Sequence, residues 1–119
     1  MTFRDLIEGM NRKDPRIVGG AIAGSDGLAV DEWSAADSRH DMGALCAEMV
    51  HFFRDSARIG RENGLGAAEE VCLAGDAGHV YVRRVTDEYI LLLVADARAI
   101  PGKCRFLLRQ GARFAREML

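Results

Sequence analysis

Ile17-Val-Gly-Gly-Ala-Ile-Ala-Gly-Ser-Asp-Gly-Leu-Ala-Val30 is the stretch on which the fold of this chain turns. Ile17–Gly24 is small and apolar on both faces, the pattern of a strand covered from both sides. Ser25-Asp26-Gly27 is turn chemistry, because Gly27 takes positive φ without a Cβ clash. The chain then returns as Leu28-Ala-Val-Asp-Glu-Trp33, which alternates loosely and completes a β-hairpin. A hairpin covered on both faces needs helices on both sides, and the flanking sequence supplies them.

Upstream, Phe3, Leu6, Ile7 and Met10 follow helical spacing, Thr2 with Asp5 forms a capping box, and Asn11 and Pro15 end the helix. Downstream, a long helix is expected from Asp37 to Arg61, capped by Asp37 or Ser38 and closed by Asn63-Gly64. Its apolar residues, Met42, Leu45, Cys46, Met49, Phe52, Phe53, Ala57 and Ile59, cover a sector of roughly 160° at helical spacing. Packing on one sheet needs only about 100°. Either Phe52 or Ile59 stands half exposed at the stripe edge, or the helix also packs on a second copy.

Three further strands follow. In Ala68–Ala74, Glu69, Val71 and Leu73 alternate with Glu70, Cys72 and Ala74; Gly75–Gly78 turns the chain into His79–Val85. Thr86–Glu88 turns it again into Tyr89–Ala95, which is apolar throughout and therefore central. A last helix opens at Pro101 and carries Cys104, Leu107, Leu108, Gly111, Phe114, Ala115 and Met118 as one apolar stripe. The order α-β-β-α-β-β-β-α predicts an α+β sandwich in a single domain of 119 residues. Its five-stranded, mainly antiparallel sheet carries one helix on one face and two on the other.

Composition and motifs narrow the function more by exclusion than by assignment. The longest apolar run, Tyr89–Ala95, is far short of the roughly 20 residues that span a bilayer, and the N-terminus has no apolar core of a secretory signal. Three widely spaced cysteines, Cys46, Cys72 and Cys104, fit a reducing compartment, so a cytoplasmic protein with core thiols is expected. No Gly-Lys-Ser/Thr occurs to cradle phosphates. His40, His51 and His79 are isolated, which argues against a metal site. No Gly-x-Ser-x-Gly elbow presents a nucleophile. Neither an enzyme nor a cofactor is expected.

Residues 101–119 carry Lys103, Arg105, Arg109, Arg113 and Arg116 against Glu117, a net of +4 in a chain whose total is −2. With the remainder acidic, the arginines read as a solvated helix face favoured by the helix dipole, or as a protein-partner surface, rather than a nucleic-acid site.

The ordered set of these features resembles the Roadblock / dynein light chain family, whose fold is profilin-like. The resemblance lies in Ile17–Val30 with its Ser-Asp-Gly turn, the helix around Ala44–Ile59, Glu69 through Gly75-Asp76 and Gly78 to Val85, Tyr89–Val94, and Gly-Lys-Cys-Arg at 102–105. It implies a homo- or heterodimer in which the long helices pair and the middle strands meet edge to edge. Met49, Phe52, Phe53, Ile59, Glu69, Val71 and Leu73 are then the expected self-interface. Bacterial members bind a small Ras-like GTPase as its activating protein or scaffold, and the outward face of the long helix, with His40, Glu48, His51, Arg54, Asp55 and Arg58, is the expected partner surface. Arg54, Arg58 and Arg61 are available cations, but no motif marks one as an arginine finger. Two other uses stay open. One is a structural subunit of a larger assembly. The other is a ligand-sensing domain, which Val80, Val82, Leu91 and Leu93 oppose by reading as filled core.

Overall fold

The computed structural model describes residues 1–119, in the order α1 (Phe3–Lys13), β1 (Ile17–Gly24), β2 (Ala29–Ser34), α2 (Met42–Glu62), β3 (Glu70–Ala74), β4 (Gly78–Arg84), β5 (Tyr89–Asp96) and α3 (Pro101–Met118). The five strands form one sheet in the order β2-β1-β5-β4-β3. Every neighbouring pair is antiparallel. The apolar strand Tyr89–Asp96 lies in the middle, as its composition predicts.

The sheet separates two cores. On one face α1 and α3 pack Ile7, Met10, Leu107 and Leu108 against Ile17, Ile22, Tyr81, Leu91 and Leu93. On the other, α2 packs Met42, Cys46, Met49, Val50 and Phe53 against Ala21, Val80, Val82, Leu92 and Val94. Alternation along β5 feeds both, Leu91 and Leu93 to one side and Leu92 and Val94 to the other. Close approach requires glycine at two positions. A Cβ on Gly20 would stand 2.7 Å from the carbonyl oxygen of Leu92 and 2.9 Å from Ile7 Cγ2. A Cβ on Gly60 would collide with the Gly66 carbonyl oxygen where α2 ends.

The capping box of α1 forms as expected: Asp5 N–H donates to Thr2 Oγ1 and Thr2 N–H to Asp5 Oδ2. Helix α2, by contrast, starts later than expected. Its N-cap is Asp41, whose Oδ1 accepts from Ala44 N–H at 3.1 Å, not Asp37 or Ser38. Met42 is the first residue that the sheet can bury, and nothing apolar at helical spacing precedes it. Strand bounds shift by one or two residues. Leu28 remains in the β1–β2 turn, where it is exposed.

The cysteines divide. Cys46 and Cys104 are buried, and burial pushes each thiol up to about 11. Cys72, expected in the core, is exposed instead because its strand lies at the edge of the sheet.

Candidate functional site

The two edges of the sheet are treated differently. Along β2, Arg4 at the start of α1 donates its N–H to Asp31 Oδ2 at 3.0 Å and its Nη1 to the Glu32 carbonyl at 3.2 Å. Acidic side chains and a covering helix are the usual protection of an edge strand. Along β3, Val71 is half-buried while Cys72, Leu73 and Ala74 are exposed. An apolar, unprotected edge of this kind invites pairing with another chain.

Helix α2 lies beside that edge, and its orientation can be read from its contacts. The flank carrying Ala47 and Arg54 faces the β1–β2 turn. Gly27 packs on Ala47, and the Arg54 guanidinium donates to the Ser25 carbonyl. The opposite flank carries Leu45, Phe52 and Ile59. Residues seven apart on a helix drift by only about 20°, so these three form one row along it. Phe52 is 41% and Ile59 50% exposed, against 7% for Phe53 and 4% for Met49. The apolar excess anticipated on the helix is therefore this row, turned toward the β3 side.

Where the row meets β3, an open groove of ≈ 730 Å³ is lined by Ile59, Leu65, Glu69, Val71 and Arg84 among others. Arg84 shapes its wall: its Nη2 donates to the Ala68 carbonyl at 2.7 Å and its guanidinium lies 6.0 Å from the Phe53 ring centroid. Leu65, which lines it, is 82% exposed, and Leu73, two residues beyond Val71 on the same face of β3, is 54% exposed. With Phe52 and Ile59 they extend one apolar patch over two elements, the kind of surface that marks an interaction site.

Of the residues expected at a self-interface, Phe52, Ile59, Glu69, Val71 and Leu73 lie on this patch or its rim. Met49 and Phe53 do not: they are buried in the α2-side core, because their helical positions fall on the face of α2 that packs on the sheet. Leu65 belongs to the surface instead, and Leu45 stands half-buried at the margin of that core. Leu45 falls inside the apolar stripe read from spacing, whereas Leu65 sits in a glycine-rich loop with no periodicity to reveal it.

The expected partner residues divide as well. Glu48, His51, Asp55 and Arg58 are exposed on the outer face of α2, where Glu48, Asp55 and Glu62 form an acidic row next to the apolar one. Arg58 pairs with Glu62 at 3.1 Å. His40 lies in the loop before the helix, because α2 begins at Met42. Arg54 is held on the Ser25 carbonyl and so is not a free cation.

The arginines of α3 are not simply solvated. Glu70 on β3 accepts from Arg105 Nε at 2.7 Å, Arg109 Nε at 3.2 Å and Arg83 Nη1 at 3.2 Å. Burial pushes this carboxyl up, but the hydrogen bonds and charges of Arg105 and Arg109 outweigh that and hold it below the usual range. One carboxylate thus ties the edge strand to α3. Because its folded pKa is depressed, its stabilisation is present above the unfolded value near 4.5 and is lost as pH falls through the folded value. Glu70→Gln is expected to cost about 1–2 kcal/mol at neutral pH, a figure kept low because Arg105 and Arg109 are half exposed. Urea midpoints across pH should show the variant less stable above pH 4.5 and losing less than the wild type below it.

Among the described residues no group of three His, Cys, Asp or Glu converges as a metal-ligand set, and no helix is long and apolar enough to cross a membrane.

Sheet order and helix placement are those of the roadblock fold. The chain superposes on an MglB described in a tetrameric arrangement with a TM-score of 0.89 and 16% identity, covering 97% of this chain and 85% of that one. It matches the Roadblock/LC7 domain from Streptomyces avermitilis at 0.86 and 15% identity, over 97% and 95% of the two chains. MglC from Myxococcus xanthus is covered end to end, 100% of each chain, at 24% identity and a TM-score of 0.74. At these identities the likeness is one of fold. No family model and no curated protein matches the sequence.

Proposed function

We propose that this chain is a non-catalytic, cytoplasmic binding module that forms a homodimer through the α2 flank and the β3 edge, and that the dimer regulates or scaffolds a small Ras-like GTPase. The observation that carries the reading is the apolar row Leu45–Phe52–Ile59 lying beside an unprotected edge strand, while the other edge of the same sheet is guarded. A second copy would cover both features at once. The structural likeness to an MglB in a tetrameric arrangement supports self-association as the use of this fold. The Roadblock resemblance supplies the GTPase as the class of partner.

In that dimer the outer face of α2 stays open beside the seam, with Glu48, His51, Asp55 and Arg58 presented to the GTPase. The acidic row makes the contact sensitive to charge reversal. Immobilised wild-type chain should capture a Ras-like GTPase of the same organism in one nucleotide state, GTP-analogue or GDP, and not in the other. The double variant Glu48→Arg/Asp55→Arg should stay dimeric and bind at least about tenfold more weakly. Absence of capture in either state would sink the regulatory reading. Capture of a large assembly regardless of nucleotide would point to a structural subunit instead.

A further inference from the structure

The hydrogen-bond pattern of β3 determines how a second copy fits. The β3–β4 register pairs Glu70 with Arg83, Cys72 with Tyr81 and Ala74 with His79. Just outside the strand, Arg84 N–H donates to the Glu69 carbonyl and Gly75 N–H to the Gly78 carbonyl. Antiparallel ladders alternate bonded and non-bonded pairs, so the odd residues 69, 71, 73 and 75 direct their backbone groups at β4. The even residues Glu70, Cys72 and Ala74 direct theirs at the open edge. Only residues of the even set can therefore bond across a β3–β3 seam.

An isologous seam has a two-fold axis, and an axis through any of the five β3 residues puts even residues opposite even ones; those at Glu70 and Ala74 pair only one outward residue within the strand. An axis at Val71 or at Leu73 pairs two of the three outward residues within the strand and leaves the third beyond the partner's end. It also sets Glu69 against Leu73, or Val71 against Gly75. An axis at Cys72 engages all three, Glu70 with the partner's Ala74, Cys72 with the partner's Cys72, and Ala74 with the partner's Glu70. On the α2 side of the sheet it sets Val71 against the partner's Leu73, an apolar pair that covers the most exposed large side chain of the strand. On the α3 side the small Ala74 leaves the Glu70 clasp with Arg105 and Arg109 intact.

We propose that two copies of this chain join β3 to β3 antiparallel about a two-fold axis through Cys72, so that the two Cys72 side chains face each other across the seam. This rests on the dimer reading above and adds its register. Directly opposed bonded residues have Cα atoms about 5.5 Å apart, within the span of a disulfide. Cys46 and Cys104 are buried within the chain and take no part.

The test is oxidation of the full chain with diamide at mildly alkaline pH, read on a non-reducing gel, with solution mass measured in parallel. Two thiols lose two protons and two electrons as the Sγ–Sγ bond forms, and diamide becomes the hydrazine. Wild type should give a covalent dimer at a rate independent of protein concentration, and Cys72→Ser should give at least tenfold less. In the Cys72→Ser background, Val71→Cys and Leu73→Cys should cross-link at least tenfold more slowly than Cys72, because each then faces the other position, and like residues sit about 7–8 Å apart on the diagonal. A dimer that cross-links faster through position 71 or 73 overturns the register and keeps the dimer. A dimer that cross-links through none of the three overturns β3 pairing. A monomeric mass, with cross-linking that rises with concentration, overturns the dimer reading itself.

Discussion

Phe52→Glu is expected to convert a dimer of about twice 13.0 kDa into a monomer of 13.0 kDa. The physical reason is symmetry. In an isologous interface each substitution enters twice, so one mutation buries two carboxylates in the seam. Truncating a single well-packed aromatic at an interface commonly costs about 2 kcal/mol or more. Two copies then weaken association by about 4 kcal/mol, roughly 1,000-fold. The fold itself should survive, because Phe52 is 41% exposed and lies outside the α2-side core. Sedimentation equilibrium gives the association constant, and an unchanged far-UV circular dichroism spectrum separates dissociation from unfolding. Phe53→Glu should behave differently: Phe53 belongs to that core, and a charge there should unfold the chain rather than merely dissociate the dimer.

Gly20→Val is expected to damage the centre of the sheet severely. The added Cβ would meet the Leu92 carbonyl at 2.7 Å, and that oxygen belongs to the β1–β5 pairing at the centre of the sheet. Backbone cannot step aside there without breaking the ladder. The branched side chain adds a second conflict with Ile7, which holds α1 against the sheet. Overpacking typically costs about 1–3 kcal/mol and more where nothing can yield. A loss of about 3 kcal/mol or more is therefore expected, measured as the drop in urea midpoint at constant slope. Gly111→Ala provides the contrast. Its Cβ would meet Met10 Sδ at 2.9 Å, the far end of a flexible side chain, and the cost should be small.

The architecture is legible in the sequence because its strongest signals are local. The hairpin Ile17–Val30, the uniformly apolar β5, the Thr2–Asp5 box and Pro101 at the start of α3 each specify one element by chemistry within a few residues. The start of α2 is not legible. Asp37, Ser38 and Asp41 can all cap a helix, and only the depth at which Met42 meets the sheet selects among them.

The site is legible in outline only. Sector width shows that α2 carries more apolar surface than one sheet can cover. It cannot show which flank is in excess, and so it does not separate Met49 and Phe53 from Phe52 and Ile59. Edge position is a property of strand order, which explains why alternation alone places Cys72 in the core. Glu70 reads as one of a solvated pair with Glu69 until the packing of α3 across the sheet brings Arg105 and Arg109 to it from thirty-five and thirty-nine residues away.

Amide hydrogen exchange resolved residue by residue distinguishes a β3 seam between two copies from a free edge strand. In an isolated chain, the N–H groups of Val71 and Leu73 are bonded to β4 and those of Cys72 and Ala74 face water. In the proposed dimer both sets are bonded. The prediction is that Cys72 and Ala74 exchange as slowly as Val71 and Leu73 in the wild type, and that only Cys72 and Ala74 lose protection in Phe52→Glu. Fast exchange at Cys72 and Ala74 beside slow exchange at Val71 and Leu73 in the wild type would contradict it, leaving β3 a bare edge.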